Sequence, residues 1–283
     1  MPAQWEKYYS KEQLHLLQKI EHGNLKVFID ICHQLNLEYF LYGGSLLGAV
    51  KYQGFIPWDD DVDVALPRAS YEKFICQAPS LLPQGYVLQT PYNCPHCPYP
   101  YTKLRRQGTR YVEYANRNVP IETGIYIDIY PVDKIPDDET LRKKQFKQVR
   151  KWILIYIFRQ VPLYDRPVPG LLGPLKRLAK WILCKTVKMY SPAYCMQQIN
   201  RYMTQYNATP AKRYAALNSP NFNNIYENLY PLADGIFERI PVKLPGNYTA
   251  HLTRRYGDYR QLPPLEKRYG HVPYILDFGQ VKE

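Results

Sequence analysis

Four carboxylates fall within residues 59 to 63, in the string WDDDVD (58–63), although the chain carries a formal net charge of +12. Carboxylates so close repel one another unless something cationic sits among them. DVDVAL (61–66) alternates acid with aliphatic, which predicts a strand with Asp61 and Asp63 on one face and Val62 and Val64 on the other. Two oxygen-ligand side chains at that spacing suit a shared hard cation, Mg²⁺ or Mn²⁺. Asp59 has the same parity and can support the site, whereas Asp60 is expected to face away. A calcium loop fits less well, because DDDVD lacks the glycine and terminal glutamate of an EF-hand.

A third acid lies further on. GIYIDIYPVDKIP (124–136) alternates Tyr126, Asp128 and Tyr130 with Ile125, Ile127 and Ile129, and an isolated Asp among strand formers is unusual. Ahead of the acids, LEYFLYGG (37–44) reads as a short buried strand ending in glycines. SLLGAVKYQG (45–54) then reads as a two-turn helix with Ser45 as N-cap and Gly54 as its stop. Backbone N–H groups and a hydroxyl at such a turn, around Gly44 and Ser45, form an anion site. Lys51, Lys103, Arg105 and Arg106 are candidate cations for phosphates. Phosphate cradle, paired acids and divalent cation together suit phosphoryl transfer.

The elements that position these residues read as α+β: a mixed sheet flanked by helices, in a single domain over 1–283. A helix is expected over residues 11 to 36, broken at Gly23, and another over RASYEKFICQAPSLL (68–82). Further strands are expected in GYVLQT (85–90), YPYTKLRRQGT (99–109) and RYVEYAN (110–116), and helices over 192–206 and 246–256. Of 283 residues 46% are hydrophobic, enough for a sizeable core. The six cysteines are sparse and suggest reduced thiols. CPHC (94–97) offers Cys94, His96 and Cys97 without a second ligand pair at zinc-finger spacing, so it reads as a loop. The N-terminus lacks a signal-peptide apolar run and no spanning segment is visible, so a cytoplasmic location is expected.

Residues 141 to 190 hold thirteen Lys/Arg against one acid, Asp165, and leave the rest of the chain neutral. Within LLGPLKRLAKWILCKTVKM (171–189), Leu171, Leu175, Leu178, Ile182 and Met189 recur at helical spacing, while Lys176, Arg177, Lys180 and Lys188 lie largely elsewhere. This predicts an added basic amphipathic segment, either a solvated helix or one that lies on an anionic membrane surface. No nucleic-acid motif accompanies the charge, so nucleic acid is not expected as a partner.

Four blocks, YGGSLLGAVKYQGFIPWDDDVDVALPR (42–68), KLRRQGT (103–109), GIYIDIYPVD (124–133) and YGDYRQLPPLEKRYGHV (256–272), resemble in the same order those of the LicD family of phosphotransferases. These are relatives of fukutin-type enzymes within the nucleotidyltransferase superfamily. The resemblance implies transfer of a phospho-alcohol, typically phosphocholine from CDP-choline, to a sugar hydroxyl of a teichoic-acid precursor, lipopolysaccharide or capsule, with release of CMP. It further implies that Gly44 and Ser45 bind the donor diphosphate, that Asp61 and Asp63 hold Mg²⁺, and that Asp128 shares the metal or takes the acceptor proton. A lipid-linked acceptor would suit a protein peripheral to the inner membrane face. Trp58 or Tyr126 is a candidate cage for a quaternary ammonium. His271 falls in the last block, with packing and catalysis both open. Alternatives are transfer of a nucleoside monophosphate to a sugar or antibiotic, and a non-catalytic glycan- or membrane-binding protein.

Overall fold

The computed structural model describes residues 8–161, 173–216, 225–268 and 270–280. Leu171, Asp165 and Arg166 lie outside the described residues. Helix α1 (Lys11–Gln34) opens on a capping box formed by Ser10 and Gln13. It is continuous through Gly23, so the expected break does not occur. Leu14, Leu17, Ile20, Leu25 and Phe28 form a buried stripe along it, and their burial outweighs the roughly 1 kcal/mol that a helical glycine costs.

Strand β1 (Phe40–Leu41), helix α2 (Gly43–Tyr52), strand β2 (Asp63–Pro67) and helix α3 (Arg68–Gln77) follow, then β3 (Tyr86–Gln89), β4 (Thr102–Arg106), β5 (Arg110–Glu113) and the long β6 (Ile125–Ile135). The central sheet runs β1-β2-β6-β4-β3. Its β2·β6 pair is parallel, and the β1·β2, β4·β6 and β3·β4 pairs are antiparallel. Alternation sorts the two faces. Val64, Leu66, Ile127 and Ile129 enter the main core with Leu25 and Phe28 of α1 and Tyr71 and Phe74 of α3. Asp63, Asp128 and Tyr130 face the other way.

Helices α4 (Glu139–Gln160), α5 (Gly173–Thr186) and α6 (Pro192–Thr204) come next. Val149, Trp152, Ile153 and Tyr156 of α4 pack on Cys195, Met196, Ile199 and Met203 of α6 in a second apolar cluster, closed by Ile135 at the end of β6. The basic segment is thus two helices with different roles, α4 being largely a packing element. Strands β7 (Arg213–Ala215) and β8 (Ile225–Glu227) extend β6. The hairpin β9 (Ala233–Phe237) and β10 (Ile240–Leu244), helix α7 (Tyr248–Tyr256) and β11 (Pro273–Asp277) complete the described elements. Strand β11 pairs with β5. No helix among the described residues is long and apolar enough to cross a membrane.

Because α1 is helical at Gly23, and a Cβ there would meet nothing closer than the Tyr86 hydroxyl at 3.8 Å, Gly23→Ala should stabilise the fold by about 0.5–1 kcal/mol. A denaturant midpoint that moved downward instead would mean the helix opens at this position.

Candidate active site

Sheet register assembles the site. Asp63 on β2 is the neighbour of Asp128 on β6, and Asp128 is the neighbour of Lys103 on β4. Equal registry puts the three side chains in one row on one face of the sheet. Lys103 Nζ donates to Asp128 Oδ1 at 2.6 Å, and the Tyr130 hydroxyl donates to Oδ2 at 3.0 Å. Lys103 is only 1% exposed. Its ammonium lies 3.3 Å from the Tyr126 ring centre, 4.2 Å from that of Tyr99 and 5.4 Å from that of Tyr101. The cage containing Tyr126 therefore holds the protein's own cation, so Tyr126 is not open to a ligand ammonium.

The expected parity holds: Asp59, Asp61 and Asp63 are half-buried, whereas Asp60, Val62 and Val64 are buried. Asp60 faces inward, and its carboxylate accepts from the Tyr9 and Tyr111 hydroxyls and the His271 backbone N–H. The His271 imidazole lies 3.4 Å from both Asp60 and Asp61. Asp60, Asp61 and His271 form a group whose ligand atoms lie within 4.8 Å of one another, as a bound metal requires, and no other such His/Cys/Asp/Glu group occurs among the described residues. Asp61 thus leans toward His271 more than toward Asp63 and Asp128. Cys94, His96 and Cys97 occupy the β3–β4 connection, where a turn links the Cys97 N–H to the Cys94 carbonyl.

Glycines make room for the acids. Gly43 has φ +59°, and a Cβ there would fall 2.5 Å from Asp63 Oδ2; one on Gly44 would fall 2.8 Å from Asp59 Oδ2. Both carboxylates therefore lie against the N-terminus of α2, where helix dipole and free N–H groups favour negative charge. Ser45 is not the N-cap, because α2 begins two residues earlier. It is buried inside the first turn, and its Oγ accepts from Asp63 N–H at 2.8 Å, so Ser45 fixes the backbone of an acid. Gln53, at φ 55°, ends the helix one residue before the expected Gly54. Arg105 also departs from expectation. At 1% exposure it donates to Gln89 Oε1 and the Gly124 carbonyl, bracing the sheet out of reach of any donor. Arg106 reaches the Gly85 carbonyl and the Tyr86 ring.

Lys51 and Trp58 border an open cavity of about 510 Å³, together with Tyr52, Tyr256, Asp258 and Tyr259. Lys51 Nζ donates to the Tyr259 and Gln261 carbonyls, and the Arg268 guanidinium lies 5.2 Å from the Trp58 ring. Glu21 was not legible as a site residue. It is 2% exposed, with Oε2 unpartnered. Its sequence signal is an acid at four-residue spacing between Leu17 and Leu25 on the buried stripe of α1.

Burial and mutual repulsion set the protonation. Desolvation, then Asp61, pushes the Asp59 and Asp63 carboxyls well above the usual carboxylate range. Burial drives Asp61 up to about 6 against the opposing pull of His271. Asp61 in turn holds the His271 imidazole well above its ordinary value. The buried Asp63 Oδ1 has no hydrogen-bond partner. Crowded oxygen donors with an orphaned carboxylate atom fit a hard divalent cation.

A mixed sheet that seats acids on adjacent strands, against the N-terminus of a Gly-Gly helix, defines a nucleotidyltransferase-like domain. Residues 36–172 match the family described as LicD/FKTN/FKRP, nucleotidyltransferase domain. The chain is 26% identical over 264 residues to the lipopolysaccharide cholinephosphotransferase LicD of Haemophilus influenzae, covering 89% of this chain and 94% of that protein. It is also 29% identical over 115 residues to an uncharacterized protein of Rickettsia prowazekii, covering 40% of each.

Asp61 titrates near 3.8 when unfolded and about 6 when folded. The native state thus binds more protons between those values, and stability falls as pH rises through that window. In chelator, the thermal midpoint of the unmodified protein relative to Asp61→Asn should drop across this range, and Mg²⁺ should reverse the drop at its upper end. A difference that stayed flat with pH would show that Asp61 ionises as freely in the fold as in water.

Proposed function

We propose that this chain is a metal-dependent phosphotransferase that moves phosphocholine from CDP-choline to a sugar hydroxyl of a cell-surface glycan precursor. The observation that carries this is the pairing of Asp63 with Asp128 on adjacent strands, with Asp59 and Asp63 against the N-terminus of α2 and Asp61 beside His271, and the likeness to the Haemophilus cholinephosphotransferase gives the donor class. Asp61 and Asp63 would hold Mg²⁺ or Mn²⁺, with Asp128 or His271 completing the set. The cation supplies neutralisation of the donor diphosphate.

The remaining roles fall to the chain itself. The N–H groups beside Gly44 face the donor phosphates, Lys51 adds positive charge, and Lys103 with Tyr130 orients Asp128. The sugar oxygen attacks the phosphorus of phosphocholine. Its proton passes to a carboxylate of the cluster, and the bond to the CMP oxygen breaks with the electron pair leaving on CMP. Trp58, in the open cavity, is the aromatic face offered to the quaternary ammonium. The whole of 1–283 acts as one catalytic domain with 141–190 as an addition. A lipid-linked acceptor places the work at the inner face of the membrane, which the positive charge of that addition favours.

Purified protein given CDP-choline, Mg²⁺ and a glycan acceptor should release CMP; release of pyrophosphate from nucleoside triphosphates would instead mark nucleotidyl transfer. Asp61→Asn or Asp63→Asn should each lower turnover by orders of magnitude without unfolding the protein, and retained turnover in either would remove that residue from the metal site. Trp58→Ala should raise KM for the choline donor by roughly two- to thirtyfold, since an exposed to partly desolvated cation–π contact is worth about 0.5–2 kcal/mol, and should leave kcat nearly unchanged. A fall in kcat at constant KM would assign Trp58 to the chemistry instead.

A further inference from the structure

Helix α5 is amphipathic in the reverse sense to a helix packed on a core. Gly173 and Cys184, with Val187 in the turn that follows, are buried and face the protein. Leu175, Leu178 and Ile182, at helical spacing, are 64%, 51% and 48% exposed, and Met189 beyond the helix is 78% exposed. Their common direction on the helical wheel is opposite to that of Gly173 and Cys184. Trp181 and Leu183 flank this stripe at 45% and 40% exposure. An outward apolar ridge of this kind is costly in water and marks a surface that meets another apolar phase.

From these observations we infer that α5 is a lipid-inserting helix that seats the protein on an anionic phospholipid surface. Charge complementarity names the occupant. Lys185 borders the stripe and Lys188 follows it in the next turn, Lys176 and Arg177 lie further round the helix, Lys180 lies opposite the stripe, and α5 with its following turn contains no acid. The Lys185 ammonium lies 5.6 Å from the Trp181 ring, pairing a cation with an aromatic at the edge of the stripe, the arrangement suited to a headgroup boundary. Helix α4, against which α5 packs, presents Lys143, Lys147, Arg150 and Lys151 around a groove of about 390 Å³. Long cationic side chains flanking a ridge of Leu, Ile and Met suit fluid acyl chains beneath phosphate headgroups. This inference deepens the proposed membrane-face location and does not depend on phosphocholine transfer.

The test is sedimentation of the full chain with vesicles of phosphatidylglycerol and phosphatidylcholine, against vesicles of phosphatidylcholine alone. The protein should bind the anionic vesicles and be released as salt screens the charge, over about 10 Å at 0.1 M. Trp181 emission should shift to the blue on binding, a shift absent in Trp181→Phe. Leu178→Ser with Ile182→Ser, both on exposed positions, should lower binding at least tenfold with circular dichroism unchanged. Lys176→Gln, Arg177→Gln and Lys185→Gln should each lower it roughly fivefold, the equivalent of about 1 kcal/mol per cation. CMP release with a soluble acceptor should be the same in all of these variants as in the unmodified chain. No binding of the unmodified chain to anionic vesicles, or full binding by the Leu178/Ile182 variant, would overturn the inference. Dissociation of a dimer by that variant would do so too, by assigning the ridge to a second copy. Vesicle binding without CMP release in any form would leave this inference standing and remove the phosphotransfer reading.

Discussion

Like-charge crowding away from bulk water is the constraint on which the site depends. Asp59, Asp61 and Asp63 sit within five residues of chain, Asp128 lies on the next strand, and Glu21 approaches from α1; ionising all of them without compensation would cost far more than a domain's net stability. The compensation is distributed over the fold. Lys103 neutralises Asp128 and is itself sheathed by Tyr99, Tyr101 and Tyr126. His271 arrives beside β11 to serve Asp60 and Asp61. The N-terminus of α2 faces Asp59 and Asp63. Asp63 Oδ1 remains without a hydrogen-bond partner.

The inward and outward acids do different work. Asp60 satisfies its oxygens on Tyr9, Tyr111 and the His271 backbone, so it ties the segment before α1, β5 and the segment before β11 to the acidic stretch ahead of β2. Its role is architectural: it locks the chain ends around the site. Asp61 and Asp63, one pleat away, are left partly exposed. A single alternation of the backbone thus separates the acid that closes the fold from those left partly exposed.

The basic segment divides in a similar way. Helix α4 buries Val149, Ile153 and Tyr156 against α6, and the Tyr156 hydroxyl reaches the Cys97 carbonyl in the β3–β4 connection. Its cations are what remains on the outer side of a packed helix. Helix α5 buries almost nothing of its stripe. Two helices of similar composition therefore differ because only α4 buries its apolar stripe against another element, while α5 meets the fold through its Gly173 and Cys184 side.

Much of this was legible in the chain itself, because strand alternation has period two and needs no tertiary information: the common face of Asp61 and Asp63, the opposite placement of Asp60, and the pairing of Asp128 with Tyr126 and Tyr130 all follow from it. The Gly-Gly that opens α2 was legible as an anion site, and the anions that lie against it include Asp59 and Asp63 of the same chain. Tertiary structure decided the rest. Ser45 became an acceptor for Asp63 because the helix starts earlier than its capping chemistry suggests. Lys103 and Arg105 are buried because Tyr99, Tyr101 and Tyr126 cover that face of β4. Glu21 and His271 reached the acids across long stretches of sequence, by the packing of α1 and the pairing of β11 with β5. The amphipathic pattern of α5 was written in its residues, but periodicity fixes only which side chains share a face; which way that face points depends on what the helix packs against.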